Sequence, residues 1–268
     1  MRQLFTIVGM VCLALIAKPA AAADTEVDVA LVLAVDVSRS MDADEQRVQR
    51  DGYAGAFRNP DIIRAIASGP VGQIAVTYFE WSGPDFQVVA APWTLIRNGA
   101  DAAAFADKLA AAPINRAMGT SISGALGFGA AQFDKSGFAS DRRAIDVSGD
   151  GPNNAGVPVV PVRDAVVAKG IAINGLPILL RPSIRADPFG IPNLDAYYQQ
   201  CVVGGPGSFM IPVTESDNFS TAIRRKLIIE ISGLPARIIP AADMTSQPVD
   251  CMIGEKQRGN FGFGSYFR

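Results

Sequence analysis

The chain has 268 residues, of which 49% are hydrophobic, and its 24 basic residues nearly balance 26 acidic ones. A slightly acidic chain is a poor candidate for binding nucleic acid, because that affinity depends on clustered lysine and arginine. The sequence contains no histidine, which excludes Ser-His-Asp and Cys-His catalysis and metal sites built on histidine.

The first 23 residues have the pattern of a secretory signal peptide. Arg2 precedes an apolar run from Leu4 to Ala17, and small residues follow at Ala20 to Ala23. The apolar run is shorter than the ~20 residues that a membrane-spanning helix needs. We therefore predict that residues 1–23 are cleaved and that the chain is exported to a periplasm or out of the cell. The remaining protein has 22 bases and 26 acids and is predicted to be soluble, without a membrane span.

Strand and helix patterns alternate over the rest of the chain. The predicted elements are, in chain order, a strand over 28–36, helices over 42–59 and 62–66, strands over 72–81 and 85–96, helices over 100–112 and from 121, a strand over 142–151, a helix over 157–169, a strand over 170–179, a short helix over 193–202, a strand over 208–213 and a helix over 216–232. This alternation predicts an α/β fold, with a doubly wound, mostly parallel sheet and helices on both faces. We expect one domain over residues 24–232 and a tail over 233–268.

Two of these elements carry more detailed predictions. The first helix is expected to begin at Asp42, with Glu45 in capping-box spacing, and to pack through Val48, Tyr53 and Phe57. The strand over 85–96 is expected to run antiparallel to the strand over 72–81, because only the short turn at residues 82–84 separates them.

Carboxylates and hydroxyls recur in three loops that the predicted fold brings to one edge of the sheet. The positions are Asp36, Ser38 and Ser40 after the first strand, Thr120 before a helix, and Asp150 after a later strand. Ligands of open α/β sheets bind beyond the carboxyl ends of the strands, and Mg²⁺ prefers oxygen ligands. The sequence therefore favours a cation site over plain turn-forming residues and, for Thr120, over a helix cap alone.

The three loops together resemble the metal-ion-dependent adhesion site (MIDAS) of the von Willebrand factor type A (vWA) domain. That family has a D-x-S-x-S motif, a threonine in a G-T loop and an aspartate in a D-G loop, which "DVSRS", "GT" and "DG" match in order. The resemblance covers residues 28–232 and implies a vWA/Rossmann-like fold. It implies a bound Mg²⁺, or another divalent cation such as Mn²⁺. The residues concerned are Ser38, Ser40 and Thr120 as direct ligands, with Asp36 and Asp150 supplying charge.

One position departs from the family pattern. The family usually has a hydroxyl residue directly before D-G, whereas Gly149 here separates Ser148 from Asp150, which bears on how Asp150 reaches the cation. The chain also resembles a family of secreted bacterial proteins related to vWA domains, from which no activity carries over.

The resemblance implies a binding domain that is not an enzyme, and the signal-peptide pattern implies that it is exported. The cation keeps one coordination position for an Asp or Glu carboxylate of a protein partner. Two alternatives remain, namely a Mg²⁺-dependent phosphohydrolase of the haloacid dehalogenase type and a degenerate vWA module that binds no metal. The phosphohydrolase normally has a second aspartate two residues after its nucleophile, and that position here is Ser38.

The remaining polar residues and cysteines support structural predictions. Asp146 lies within a predicted strand, where a buried carboxylate needs a partner; Arg142 or Arg143 is expected to serve, with a metal role for Asp146 as the alternative. Glu80 and Trp81 end a strand and are expected at the rim of the cation site, with packing the favoured role for Trp81.

The exported chain keeps two cysteines, Cys201 and Cys251. An even pair in an oxidising compartment favours a disulfide over free thiols. We therefore predict a Cys201–Cys251 bond that ties the tail to the domain.

Overall fold

A five-stranded sheet forms the centre of the computed structural model, which describes residues 24–180, 190–215, 218–233 and 248–260. The predicted signal peptide lies outside these ranges. The strands are β1 (Thr25–Glu26), β2 (Ala30–Asp36), β3 (Ile74–Trp81), β4 (Gln87–Ile96), β5 (Phe138–Ala139), β6 (Arg143–Gly149) and β7 (Ile171–Pro177).

The central sheet has the strand order β4-β3-β2-β6-β7. All neighbours in it are parallel except β3 and β4, which confirms the antiparallel pairing predicted from the turn at residues 82–84. A separate short pair joins β1 to β5. The chain builds outward from β2 in both directions, so the carboxyl ends of β2 and β6 lie at a topological switch point, where open α/β sheets bind their ligands.

Helices cover both faces of this sheet. They are α1 (Ala43–Phe57), α2 (Pro60–Ala67), α3 (Gly99–Ala111), α4 (Ile122–Phe133), α5 (Val159–Ala168), α6 (Leu194–Tyr197), α7 (Phe219–Ser232) and α8 (Ile253–Asn260), with a π-helical turn at Tyr198–Val202. The predicted α/β class, a mostly parallel sheet between two helical layers, is confirmed. Within the described ranges, no helix combines the length and the apolar character needed to cross a membrane.

The middle strand shows why the sequence of this region is continuously apolar. Leu31 and Leu33 of β2 pack in a core with α1, α2, α3 and α7, whereas Val32 and Ala34 pack in a second core with α4 and α5. Successive side chains of a strand point to opposite faces. Because both faces are covered, every position of β2 is buried, as expected of a central parallel strand.

The packed face of α1 differs in part from the prediction. Tyr53 and Phe57 are fully buried, but Val48 is 41% exposed, so the prediction for Val48 was wrong. Helical spacing explains the difference, because Gln49 lies four residues before Tyr53 and faces the core with it, while Val48 is out of phase. A polar glutamine therefore occupies the buried position nearest the end of β2.

The segment over residues 208–213 does not form the predicted strand. It runs beside β7 with isolated bridges at Met210 and Val213, and the backbone N–H of Ile211 donates to β7 at 3.0 Å. The ladder is interrupted at Pro177 of β7, which has no N–H to donate to the carbonyl of Ile211, although the N–H of Val213 donates to Pro177 O at 2.9 Å.

A buried ion cluster corrects the predicted partner of Asp146. Lys226 of α7 is fully buried, and its Nζ lies 2.7 Å from Asp146 Oδ1 and also pairs with Glu230. Arg142 and Arg143 donate instead to backbone carbonyls. Burial is the main cause that raises the pKa of Glu230 to about 7, and the charge of Asp146 adds to it. The charge of Lys226 opposes this shift. The partner was missed because it lies far along the chain, on a helix that packs over the sheet.

The predicted disulfide is present. Cys201 and Cys251 are bonded, with their Cα atoms 5.6 Å apart. Cys201 is fully buried in the second core. The bond therefore fixes the described part of the tail, residues 248–260, to the body of the fold.

Candidate metal centre

The loop after β2 directs its polar side chains inward through its own hydrogen bonds. The backbone N–H of Ser38 donates to Asp36 Oδ1 at 2.7 Å, and the hydroxyls of Ser38 and Ser40 are 2.8 Å apart. Asp36 is fully buried and Ser38 nearly so. The loop passes directly into α1, which begins with the predicted capping box of Asp42 and Glu45. The strand end and the helix cap thus fix both ends of the D-x-S-x-S segment.

The loop after β6 brings Asp150 to the same place. The Ser40 hydroxyl donates to Asp150 Oδ1 at 2.7 Å. Gly149 explains the departure from the family pattern, because a Cβ there would lie 2.9 Å from both Asp36 Oδ2 and the Tyr198 hydroxyl. Only glycine leaves room for both side chains. In the vWA pattern a hydroxyl residue stands at this position. Here the position is glycine, and the side chains of Asp36 and Tyr198 fill the space beside it.

Thr120 lies buried in the loop between α3 and α4, beside the other two loops. That loop touches the first one where the N–H of Ala117 donates to Val37 O at 3.2 Å. Thr120 is held through its backbone, since its N–H donates to Asn154 Oδ1 at 2.9 Å. Ser121, not Thr120, is the N-cap of α4, and its hydroxyl accepts from the helix backbone. Thr120 therefore has no capping role at this helix.

The predicted ligands fall into two groups in the structure. A continuous series of hydrogen bonds connects Asp36, Ser38, Ser40 and Asp150. Thr120 is close in the fold but, among the described residues, no hydrogen bond is found between its side chain and those four. Four of the five positions are thus directly joined, and the fifth borders them.

The charge of Asp36 is poorly compensated by the protein. Its Oδ2 is buried and has no hydrogen-bond partner among the described residues. Burial raises the pKa of Asp36 well above its usual value and the charge of Asp150 adds to this shift, despite hydrogen bonds with Ser38 and with the backbone of Asp150. The Tyr198 hydroxyl nearby is likewise buried without a partner in the described ranges. Burial and the charge of Asp36 raise the pKa of Tyr198 well above its usual value.

The available donors suit a hard cation. They are carboxylate and hydroxyl oxygens, which Mg²⁺ and similar ions prefer, and one buried carboxylate oxygen is unsatisfied. No group of three or more His, Cys, Asp or Glu side chains suited to a metal occurs in the described part of the chain. A site here would therefore depend on the serine and threonine hydroxyls as well as on Asp36 and Asp150.

Residues on α1 that the sequence analysis did not single out support the first loop. Gln49 Nε2 donates to the backbone carbonyl of Asp36 at 3.2 Å, and its Oε1 accepts from the Ser148 hydroxyl at 2.8 Å. Gln46 Nε2 donates to Ser38 O at 3.4 Å. The available sequence signal was a pair of glutamines three residues apart on the helix that follows the motif.

A buried ion pair supports the loop between α3 and α4, which carries Thr120. Arg50 pairs with Glu80, and both side chains are almost fully buried. Asn115 Nδ2 donates to Glu80 Oε2 at 2.7 Å, and Arg50 Nη1 donates to Ala112 O at 2.9 Å. Glu80 therefore anchors the loop that carries Thr120 instead of lying at an exposed rim. Trp81 is fully buried, which agrees with its expected packing role.

Most of the chain matches one known protein family. Residues 26–235 match the family described as "protein of unknown function (DUF1194)". The chain belongs to this DUF1194 family. The match includes all five predicted ligand positions and ends before Cys251 and α8. No curated protein matches this DUF1194 protein at a significant level.

Solved structures with a similar fold include a bacterial adhesin and a mussel protein. The pilus adhesin SpaC from Lactobacillus rhamnosus GG is 15% identical with a TM-score of 0.56, and the alignment covers 77% of this chain and 31% of SpaC. Proximal thread matrix protein 1 (PTMP1) from the mussel byssus is 15% identical with a TM-score of 0.54, covering 78% of this chain and 49% of PTMP1.

A second PTMP1 structure has a zinc-occupied MIDAS motif; it is 14% identical with a TM-score of 0.52, covering 78% of this chain and 49% of that one. At these identities the likeness shows the fold alone. The DUF1194 protein spans less than half the length of either neighbour.

Proposed function

We propose that this DUF1194 protein is an exported binding domain that recognises a protein partner through a divalent cation. The cation, Mg²⁺ or Mn²⁺, would be held by the hydroxyls of Ser38, Ser40 and Thr120, with Asp36 and Asp150 supplying negative charge. In this proposal residues 1–23 are the signal peptide, residues 24–232 the domain and residues 233–268 its tail. The Cys201–Cys251 disulfide supports export, because such bonds persist in oxidising compartments.

One observation carries the proposal, the buried carboxylate oxygen Oδ2 of Asp36, which has no hydrogen-bond partner among the described residues. A buried carboxylate that no positive group compensates costs several kcal/mol, and among the described residues no positive group lowers the pKa of Asp36. The like charge of Asp150 adds to the cost. A protein keeps this arrangement at little net cost if a cation neutralises both carboxylates.

The chemistry of the donors supports a binding role over catalysis. A bound cation supplies an electrophilic position that a carboxylate of a partner can occupy. Neutral hydroxyl donors leave more of the positive charge available than direct carboxylate ligands would. Ser38 stands where a haloacid dehalogenase-type phosphohydrolase has its second aspartate, and its hydroxyl is engaged with Ser40 at 2.8 Å. We therefore propose a binding domain in preference to an enzyme.

Capture of a partner tests this proposal. A pull-down from the native cell envelope is expected to recover a partner in millimolar Mg²⁺ and to lose it in EDTA. Ser38→Ala combined with Ser40→Ala is expected to abolish capture, because two hydroxyl donors are removed. Thr120→Ala is expected to weaken it by at least about tenfold while the fold stays intact, since only one hydroxyl is lost.

Thr94→Ala serves as the matched control for Thr120→Ala, because Thr94 lies on the edge strand β4 and its hydroxyl contacts only local backbone in the described structure. Capture that persists fully in EDTA, or in the double serine variant, would contradict the proposal. Turnover of an aryl phosphate with Mg²⁺ that Asp36→Asn abolishes would support the phosphohydrolase alternative instead.

A further inference from the structure

The C-terminal helix α8 contacts the loop that follows β6. Glu255 Oε1 accepts a hydrogen bond from Asn153 Nδ2 at 2.7 Å. One turn later, Arg258 Nη1 donates to Asn154 Oδ1 at 3.2 Å. Two side chains of one helix face thus hold two consecutive asparagines.

The same asparagines determine the position of the loop that carries Thr120. Asn154 Oδ1 accepts from the N–H of Thr120 at 2.9 Å, and the N–H of Asn154 donates to Thr120 O at 2.8 Å. Asn153 Oδ1 accepts from the N–H of Ser123 at 3.0 Å. Both asparagine side chains are buried. They therefore connect α8 to a predicted cation ligand without themselves offering a ligand.

The contact between α8 and this loop is close and tethered. A Cβ on Gly254 would overlap the carbonyl oxygen of Asn153, so the helix backbone lies directly against the loop. The Tyr197 hydroxyl accepts from the N–H of Asn153 at 3.2 Å and lies 3.5 Å from the carbonyl oxygen of Cys251. The Cys201–Cys251 disulfide fixes the segment that leads into the helix.

We propose that α8 is part of the cation site, and that Glu255 and Arg258 are positioning residues that act through Asn153 and Asn154 on Thr120. This inference rests on the proposed function. Outer partners of metal ligands fix the orientation of those ligands, and their loss typically weakens metal affinity by about 10- to 100-fold. The helix lies outside the residues that match the DUF1194 family, so metal affinity in this chain depends on a segment beyond that match.

Mn²⁺ affinity, measured by electron paramagnetic resonance on the whole disulfide-bonded protein, tests the inference. Glu255→Ala and Arg258→Ala are each expected to weaken Mn²⁺ binding by about tenfold or more. Glu255→Gln is expected to bind like the unaltered protein, because its amide oxygen can still accept from Asn153. Lys256→Ala is the matched control, because Lys256 pairs only with Asp250 on the exposed side of the helix in the described structure.

Hydrogen exchange on the metal-free protein provides a second readout. In Glu255→Ala the amides of residues 118–124 are expected to exchange roughly fivefold faster, the effect of losing about one hydrogen bond of support. The amides of β2 are expected to keep their protection. Equal loss of protection in β2 would show general destabilisation and would overturn a positioning role.

The outcomes separate this inference from the proposed function. If the unaltered protein binds no Mn²⁺, both are overturned. If it binds Mn²⁺ and the Glu255→Ala and Arg258→Ala variants bind it equally well, the inference about α8 alone is overturned. Weaker binding in Glu255→Gln to the same extent as in Glu255→Ala would also contradict it, since the hydrogen bond to Asn153 would then not be the cause.

Discussion

We expect Asp36→Asn to abolish the stabilisation of this fold by Mg²⁺. A ligand that binds only the folded state stabilises it by RT ln(1 + [L]/Kd), about 2.7 kcal/mol at 100 times Kd. For a domain of this size that corresponds to a rise of roughly 5–10 °C in the melting temperature. The asparagine keeps the shape of Asp36 but removes the charge that attracts the cation. Thermal melts in Mg²⁺ and in EDTA measure the difference.

In the metal-free protein, Asp36→Asn should leave the melting temperature unchanged or raise it. Burial and Asp150 raise the pKa of Asp36, so its negative charge opposes folding at neutral pH when no cation is bound. Asp36→Asn is therefore expected to melt in EDTA at the same temperature as the unaltered protein or higher. Asp51→Asn, at an exposed position of α1, is the control and should keep the full response to Mg²⁺. Identical melting of the unaltered protein in Mg²⁺ and in EDTA would favour a degenerate, metal-free module.

Lys226→Met is expected to produce a large loss of stability. The ammonium of Lys226 lies between two buried carboxylates, those of Asp146 and Glu230. Removing one partner of a buried ion pair typically costs about 3–5 kcal/mol, because an uncompensated charge stays in the interior. Methionine has a similar length and preserves the packing. Urea unfolding at pH 8 measures the change, and Lys108→Met on the exposed side of α3 should shift stability by less than about 0.5 kcal/mol.

The pH dependence of this loss of stability tests whether charge causes it. Glu230 has a folded pKa of about 7, above its ordinary value of 4.5. Its favourable contribution is therefore complete below pH 4.5 and is lost as the pH rises through 7. Without Lys226 the two carboxylates hold their protons to still higher pH. The destabilisation by Lys226→Met should accordingly be larger at pH 8 than at pH 5. A pH-independent loss would indicate a packing effect instead.

Local patterns were sufficient to predict most of the fold. The apolar run of β2 reflects burial on two faces, and the three-residue turn at residues 82–84 could only join antiparallel neighbours. The errors arose where a local pattern was incomplete. Val48 is apolar but out of phase with the buried face of α1, and Pro177 of β7 lacks the N–H that would continue the ladder with residues 208–213.

In the candidate site, too, some contacts could be predicted from the sequence and others could not. Asp36, Ser38 and Ser40 share one short loop, and parallel strands bring Asp150 to the same edge, so sequence and topology together predict their meeting. The supporting contacts are different. Lys226 lies on a helix far along the chain from Asp146, and α8, which contacts Asn153, lies beyond the residues that match the DUF1194 family. No local spacing encodes such pairs, because packing of remote elements creates them.

Calorimetric titration of Mg²⁺ into the metal-free protein shows directly whether the loops after β2 and β6 hold a cation. One Mg²⁺ is expected to bind per chain in the unaltered protein, and no measurable binding is expected when Ser38 and Ser40 are both replaced by alanine. The double variant should keep the secondary structure of the unaltered protein, because neither hydroxyl contributes to the cores. Absence of Mg²⁺ binding in the unaltered protein, or equal binding in the double variant, would contradict a cation site at these loops.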